Sequence, residues 1–393
     1  MNKKNKNPNV PNLRFREFHT EWEKIQIGNL IKERKEYTSD FEKYPLYSFT
    51  IESGITPKSD RYERSFLVKK EGDLFKIVHQ NDFVMNPMNL RFGALNYSKI
   101  NQTVSVSGYY DIFTIDACKY NEFWNAYLKT PRMLYTYNTI ATGSLVEKKR
   151  VYFKQLKELK MCIPSEMEKN KINEFINLLN ERIQTQNKII DDLVLQKKYI
   201  ISSLLKSIQD NEKIMLKDIL FDYNIKTTIN NEYPVLSSTA SGMYLQSDYF
   251  NKETSSDNTI GYKIVPRGYC TYRSMSDTGL FTFNIQNLVE KGIVSPAYPV
   301  FSSNDDYINE FFILYLNNSS YIKKQILELK SGGTRFALPF STLCTLKIPK
   351  LEKEKQLSLI KTITAFERKI ENEEIILNAL HQQKIFLLNN MFI

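Results

Sequence analysis

Histidine, cysteine and tryptophan are scarce in this 393-residue chain, with three, four and two copies. The cysteines, Cys118, Cys162, Cys270 and Cys344, lie far apart, which excludes both a C-x-x-C pair and the density of a disulfide scaffold. His19, His79 and His381 form no close cluster with them, so no zinc site of ordinary ligand spacing is visible, and His381 reads as a polar helix-face residue. Residues 1–11 are rich in Asn, Lys and Pro without an apolar core, and no run of about 18 apolar residues occurs anywhere. There is no G-x-x-x-x-G-K-[ST], no G-x-G-x-x-G and no G-x-S-x-G. The expectation is a soluble, non-secreted protein of a reducing cytoplasm, without a cofactor loop or catalytic motif of its own.

What is present is globular. Hydrophobic residues make up 42% and charged residues 25%, ordinary values for packed domains, and the length suggests roughly two to four of them. The net charge of +10 is unevenly placed. Residues 1–165 carry 27 Lys and Arg against 18 Asp and Glu, whereas 166–210 and 211–349 are each neutral and 350–393 carries +1. Attraction to a polyanion such as nucleic acid is therefore expected mainly from the first stretch.

The chain repeats once. Lys24-Ile25 recurs as Lys213-Ile214 and Tyr44-Pro45 as Tyr233-Pro234, both at an offset of 189, and Lys76-Ile77-Val78 recurs as Lys263-Ile264-Val265 at an offset of 187. VSGYYDIF at 106–113 parallels VSPAYPVF at 294–301, and Ile163-Pro164 parallels Ile348-Pro349. Each half combines β-branched and aromatic runs, Gly, Asn and Ser turns, and short helical patches at 122–128 and 309–316, which predicts an α/β or α+β module. A long helix follows each module.

The helices show the sharper periodicity. Ile172, Ile176, Leu179, Ile183, Gln186, Ile190, Leu193, Lys197, Ile200 and Leu204 step by 4,3,4,3, as do Leu359, Ile363, Phe366, Ile370, Glu373, Leu377, Leu380, Lys384, Leu387 and Met391. Such an unbroken seam predicts a coiled coil rather than two amphipathic helices on separate cores. A parallel pairing would set Lys197 against Lys384, so the helices are predicted antiparallel. The register that gives every polar seam residue a polar partner pairs Gln186 with Lys384 and Lys197 with Glu373. It also sets Ile183 on Leu387, Ile190 on Leu380, Leu193 on Leu377 and Ile200 on Ile370.

Two recurrent loop regions are candidates for DNA contact. Gly143 and Ser144 precede Lys148, Lys149 and Arg150, and the second half carries Gly333, Thr334 and Arg335 at the equivalent place. Backbone N–H groups of a Gly-Ser or Gly-Thr turn and a neighbouring cation can approach a phosphate or base edge together. The second region sets Asn86, Asn89 and Arg91 opposite Arg273, Ser274 and Ser276, where Asn and Arg are the side chains suited to bidentate contact with adenine and guanine. Asn86-Pro87-Met88-Asn89 only superficially suggests the Asn-Pro-Pro-aromatic signature of amino-methyltransferases and reads as a turn.

This order of module, helix, module, helix resembles the specificity subunit of bacterial type I restriction-modification systems over essentially the whole chain. Asn12-Leu13-Arg14-Phe15-Arg16-Glu17-Phe18 with Glu21-Trp22, the Asn86-Pro87-Met88-Asn89-Leu90-Arg91-Phe92-Gly93 stretch and Val294-Ser295-Pro296-Ala297-Tyr298-Pro299-Val300-Phe301 are similar to segments of that family. Val106-Ser107-Gly108-Tyr109-Tyr110 departs from it by lacking the usual Ser-Pro. The resemblance implies an opening segment at 1–19, target-recognition domains at 20–165 and 209–349, and spacer helices at 166–208 and 350–393. It implies a non-catalytic subunit whose domains each read half of a split site on double-stranded DNA. Two methyltransferase subunits would dock on the helices, with restriction subunits as optional partners, and S-adenosylmethionine, ATP and Mg would be bound only by those partners. From Ile172 to Leu204 a helix spans about 48 Å at 1.5 Å per residue, enough to set half-sites about one DNA turn apart. The competing readings are a standalone coiled-coil DNA-binding regulator and a methyltransferase or nuclease with its own active site.

Overall fold

The computed structural model describes residues 9–51, 54–57, 74–145, 149–249, 258–329 and 336–393. The chain divides into two compact units, one of Met1–Asn187 with Ile375–Ile393 and the other of Lys188–Glu374.

In the first unit four short strands form an antiparallel sheet in the order Ile31–Glu33, Asp111–Ile115, Phe83–Met85, Leu95–Tyr97. Side chains alternate between the two faces along a strand, and the central strand Phe83–Met85 is apolar and buried at every position because both of its faces are covered. Phe83, Met85, Phe113 and Ile115 enter a large core with Trp22, Phe123, Trp124 and Tyr137, while Val84 and Ile112 enter a smaller one with Val78, Val104 and Val106 on the other face. The helices Asn121–Tyr127 and Pro131–Ile140 follow the sheet in sequence and supply the large core with Phe123, Trp124 and Tyr137.

The second unit repeats this plan. Its sheet runs Leu220–Asp222, Val300–Ser303, Cys270–Tyr272, Phe283–Ile285, again antiparallel, followed by the helices Asn309–Asn318 and Ser320–Glu328. The repeated dipeptides meet in both units. Glu23–Gln26 pairs with Lys160–Ile163, and Lys213–Met215 with Lys347–Pro349. The duplication read from the sequence is thus a duplication of fold.

The two long helices are Glu166–Ser207 and Lys353–Met391. Ser165 Oγ accepts from the Glu168 N–H at 3.3 Å at the start of the first, whose opening turn carries Glu166 and Glu168 and whose last turn carries Lys206, as the helix dipole favours. No residue of either predicted seam is exposed. In the first unit Ile172 and Ile176 share a core with Leu387 and Met391; in the second Ile200, Ile201, Leu204 and Leu205 share one with Leu359, Ile360 and Ile363. Within each unit the helices therefore run antiparallel.

The register differs from the one expected. Lys197 bonds Glu367 at 2.9 Å, where Glu373 was expected, and Lys384 donates to Asn180 Oδ1 at 2.5 Å, where Gln186 was expected. Ile172 and Ile176, rather than Ile183, share the core of Leu387, and Ile370 does not join the core of Ile200. Matching polar seam residues with one another is worth less than burying the helix ends in the module cores. Each flexible lysine then reaches along the seam to the acceptor that packing leaves nearby. Among the described residues no helix is long and apolar enough to cross a membrane.

Candidate nucleic-acid interface

In the first unit the strand Phe83–Met85 runs straight into a tight turn. Asn86 Oδ1 accepts from the Met88 N–H at 3.0 Å and Asn86 O from the Asn89 N–H at 3.1 Å. One helical turn, Leu90–Phe92, then ends at Gly93, whose φ of 89° lies in the region that favours glycine. Leu90 is fully buried and fixes the turn to the core, which leaves Asn89 and Phe92 exposed and Arg91 half-buried with its guanidinium 4.6 Å from the Phe92 ring.

Pro87 O accepts from the Val151 N–H at 2.9 Å, which draws in the second candidate loop. Thr142 and Arg150 exchange both backbone bonds at 2.9 Å, so Gly143 and Ser144 sit exposed beside the base of this loop. Lys149 is half-buried, and Lys148 lies outside the described residues. The Arg150 guanidinium is 5.3 Å from the Tyr109 ring, and Tyr109 and Tyr152 are 40% and 52% exposed. Cations alternating with exposed rings can bind phosphate and stack on a base or sugar.

The second unit makes the same junction with different side chains. Ser274 O accepts from the Leu338 N–H at 2.8 Å, the counterpart of the bond between Pro87 and Val151, and Met275–Ser276 pairs with Phe336–Ala337. Tyr272 OH pins the same strand by donating to Leu338 O at 2.8 Å. Gly333, Thr334 and Arg335 lie outside the described residues, immediately before that strand. Arg273 is exposed, Ser274 Oγ donates to Ala297 O at 2.8 Å, and Ser276 Oγ accepts from the Thr278 N–H at 3.3 Å. Beside them lies an open groove of about 470 Å³ whose lining includes Arg273, Ser276, Thr278, Thr282, Ser237 and Thr239.

The fold thus brings 86–91 together with the Thr142/Arg150 base of the second loop, and 273–276 together with the strand after 335. It also alters the roles of two residues. The Asn86 side-chain oxygen already accepts one bond from the turn, and the Ser274 hydroxyl proton is committed to Ala297. Sequence reasoning missed the exposed rings Phe92, Tyr109 and Tyr152 and the hairpin of Leu236–Thr239 with Gly242–Leu245 that walls the groove. The signal was there: Tyr233-Pro234 and Tyr44-Pro45 precede this hairpin and its counterpart, Tyr47–Thr50 with Gly54–Pro57.

No protein-family model matches the chain, and no curated protein matches it. Solved structures do. The S subunit of a type I restriction-modification system from M. genitalium aligns over 98% of this chain and 99% of its own, with a TM-score of 0.50 at 14% identity. A chain from a study of complex assembly and conformational transition of the type I R-M system aligns over 94% of this chain and 97% of its own, with a TM-score of 0.57 at 11% identity. At these identities the likeness is one of fold, and in fold this chain resembles, over nearly its whole length, the S subunit of a type I restriction-modification system.

Proposed function

We propose that the chain is the DNA sequence-specificity subunit of a type I restriction-modification complex, each module reading one half of a bipartite site. One observation carries this reading. The same backbone bond, Val151 to Pro87 in one unit and Leu338 to Ser274 in the other, sets two loops side by side after the same strand of the same sheet. The scaffold is repeated while the side chains it presents differ: Asn89, Arg91 and Arg150 in one, Arg273 and Ser276 in the other. Two reading heads of one design with unlike surfaces are what a split, asymmetric sequence requires.

The long helices also carry equivalent exposed apolar residues at an offset of 187. Tyr199 and Phe386 are 75% and 64% exposed, and Ile189 and Ile376 are 39% and 43% exposed. Two similar apolar surfaces suit two copies of one partner, here a methyltransferase subunit that brings the methyl donor and the catalytic groups. Such a complex works on chromosomal DNA in the bacterial cytoplasm, and this subunit is non-catalytic within it.

Mapping methylated adenines in a host that expresses the chain with its methyltransferase tests the reading directly. A two-part motif is expected, and exchange of residues 211–349 for another specificity subunit's domain should change one half only. A continuous motif, or a change in both halves, would overturn the reading. Tyr199→Glu and Phe386→Glu should each remove one methyltransferase copy from the complex, as read by native mass spectrometry.

A further inference from the structure

Each unit has a place where the first helix after its sheet meets both long helices, and the two places differ sharply in charge. In the second unit it is a cavity of about 360 Å³ whose lining includes Lys197, Glu310, Asn317 and Glu367. One ammonium meets two carboxylates there. Lys197 bonds Glu367 at 2.9 Å, and Asn317 uses both polar atoms of its side chain on the Phe283 backbone, each at 2.9 Å.

In the first unit Glu122 stands at the position of Glu310, Lys129 at that of Asn317, Asn180 at that of Glu367 and Lys384 at that of Lys197. Lys99 joins from the strand side. One carboxylate now faces three ammonium groups: Lys99 bonds Glu122, and Lys129 and Lys384 both lie within reach of its charge. Glu122 is buried and accepts from Lys99 and, at 2.8 Å, from the Tyr97 hydroxyl. Lys384 donates to the neutral Asn180, at 2.5 Å. Lys129 is half-buried, and its ammonium group forms no hydrogen bond or ion pair among the described residues. Burial, helped by the charges of Lys384 and Lys99 and opposed by Glu122, pulls its ammonium down to about 8, and burial with Lys99 also lowers Lys384.

We infer that this cluster is a binding site for a phosphate group, with Lys99, Lys129 and Lys384 donating to its oxygens. Three cations against one carboxylate leave a surplus that one phosphate dianion balances, and three point-like donors from separate elements suit a tetrahedral oxyanion better than a flat carboxylate. The phosphate comes either free from solution or from a nucleic-acid backbone. The inference does not depend on the function proposed above.

The test is competitive amine labelling of the full chain, read lysine by lysine by mass spectrometry. Inorganic phosphate is compared with sodium chloride at equal ionic strength, and a short DNA duplex is added in a third arm. A bound anion favours the protonated amine, so at about pH 7 labelling of Lys129 should fall about threefold or more in phosphate, with Lys384 also protected and Lys197 unchanged. Asn180→Glu gives the first unit the carboxylate that the second already accommodates, and it should abolish the protection while labelling elsewhere stays as in the parent chain. Protection by the duplex alone would assign the same site to backbone phosphate. Equal labelling in all three arms, or protection that survives Asn180→Glu, would overturn the site.

Discussion

Arg14 donates from Nε and Nη2 to the two carboxylate oxygens of Glu168 at 2.7 and 2.6 Å, and the Glu168 side chain is only 1% exposed. This fork ties the opening segment to the start of the first long helix, beside Leu13, whose N–H donates to Asn390 O. Removing one partner strands a buried charge. Arg14→Met should therefore cost about 3–5 kcal/mol, read as a lower urea midpoint, and adding Glu168→Leu should recover most of the loss. Lys129 makes a different prediction. Its folded pKa of about 8 lies below the ordinary 10.5, so between those values the unfolded chain binds more protons and stability rises with pH. Relative to Lys129→Asn, the parent chain should gain stability from pH 8 to pH 10.5 in chemical denaturation, and a flat difference would contradict the assignment. The presence of Arg14 and Lys129 is plain in the sequence. The groups that act on them are not, because Glu168 is brought to Arg14, and Glu122 and Lys384 to Lys129, only by the fold.

At the scale of elements the heptad seams show what periodicity can and cannot fix. Their 4,3 spacing decides which face of each helix is buried, and every seam residue is shielded in the folded chain. Register depends on where the ends dock. Ile172, Ile176, Met391 and Phe392 enter one module core and Ile201, Leu205 and Ile363 the other, and that burial outweighs the polar pairing that favoured Glu373 and Gln186. In a background lacking the four free cysteines, Ile176→Cys with Leu387→Cys should cross-link much faster than Ile183→Cys with Leu387→Cys. Ile201→Cys with Ile363→Cys should behave like the first pair. The reverse order would restore the other register.

For the whole molecule, the proposed function makes helix length a determinant of the distance between half-sites. Inserting one heptad into each long helix keeps the seam in phase and adds about 10 Å. The unread spacer in the methylated motif should then lengthen by about three base pairs with both halves unchanged. A spacer of unaltered length would show that the helices do not set it.

The sequence by itself determined the duplication, the alternation of module and helix, the buried faces of both helices and the neighbourhood of the candidate reading loops. All of these are written in local pattern: repeated dipeptides, periods of two and of 3.5, and turn residues next to cations. Only the tertiary structure decided the helix register, the exposure of Phe92, Tyr109 and Tyr152, and the commitment of Asn86 to its own turn. It alone joined Val151 to Pro87 and Leu338 to Ser274, and it alone assembled three lysines about Glu122. Each of these is a contact between residues distant in sequence. Their formation is decided by which apolar surfaces are buried together, and local pattern carries no record of that.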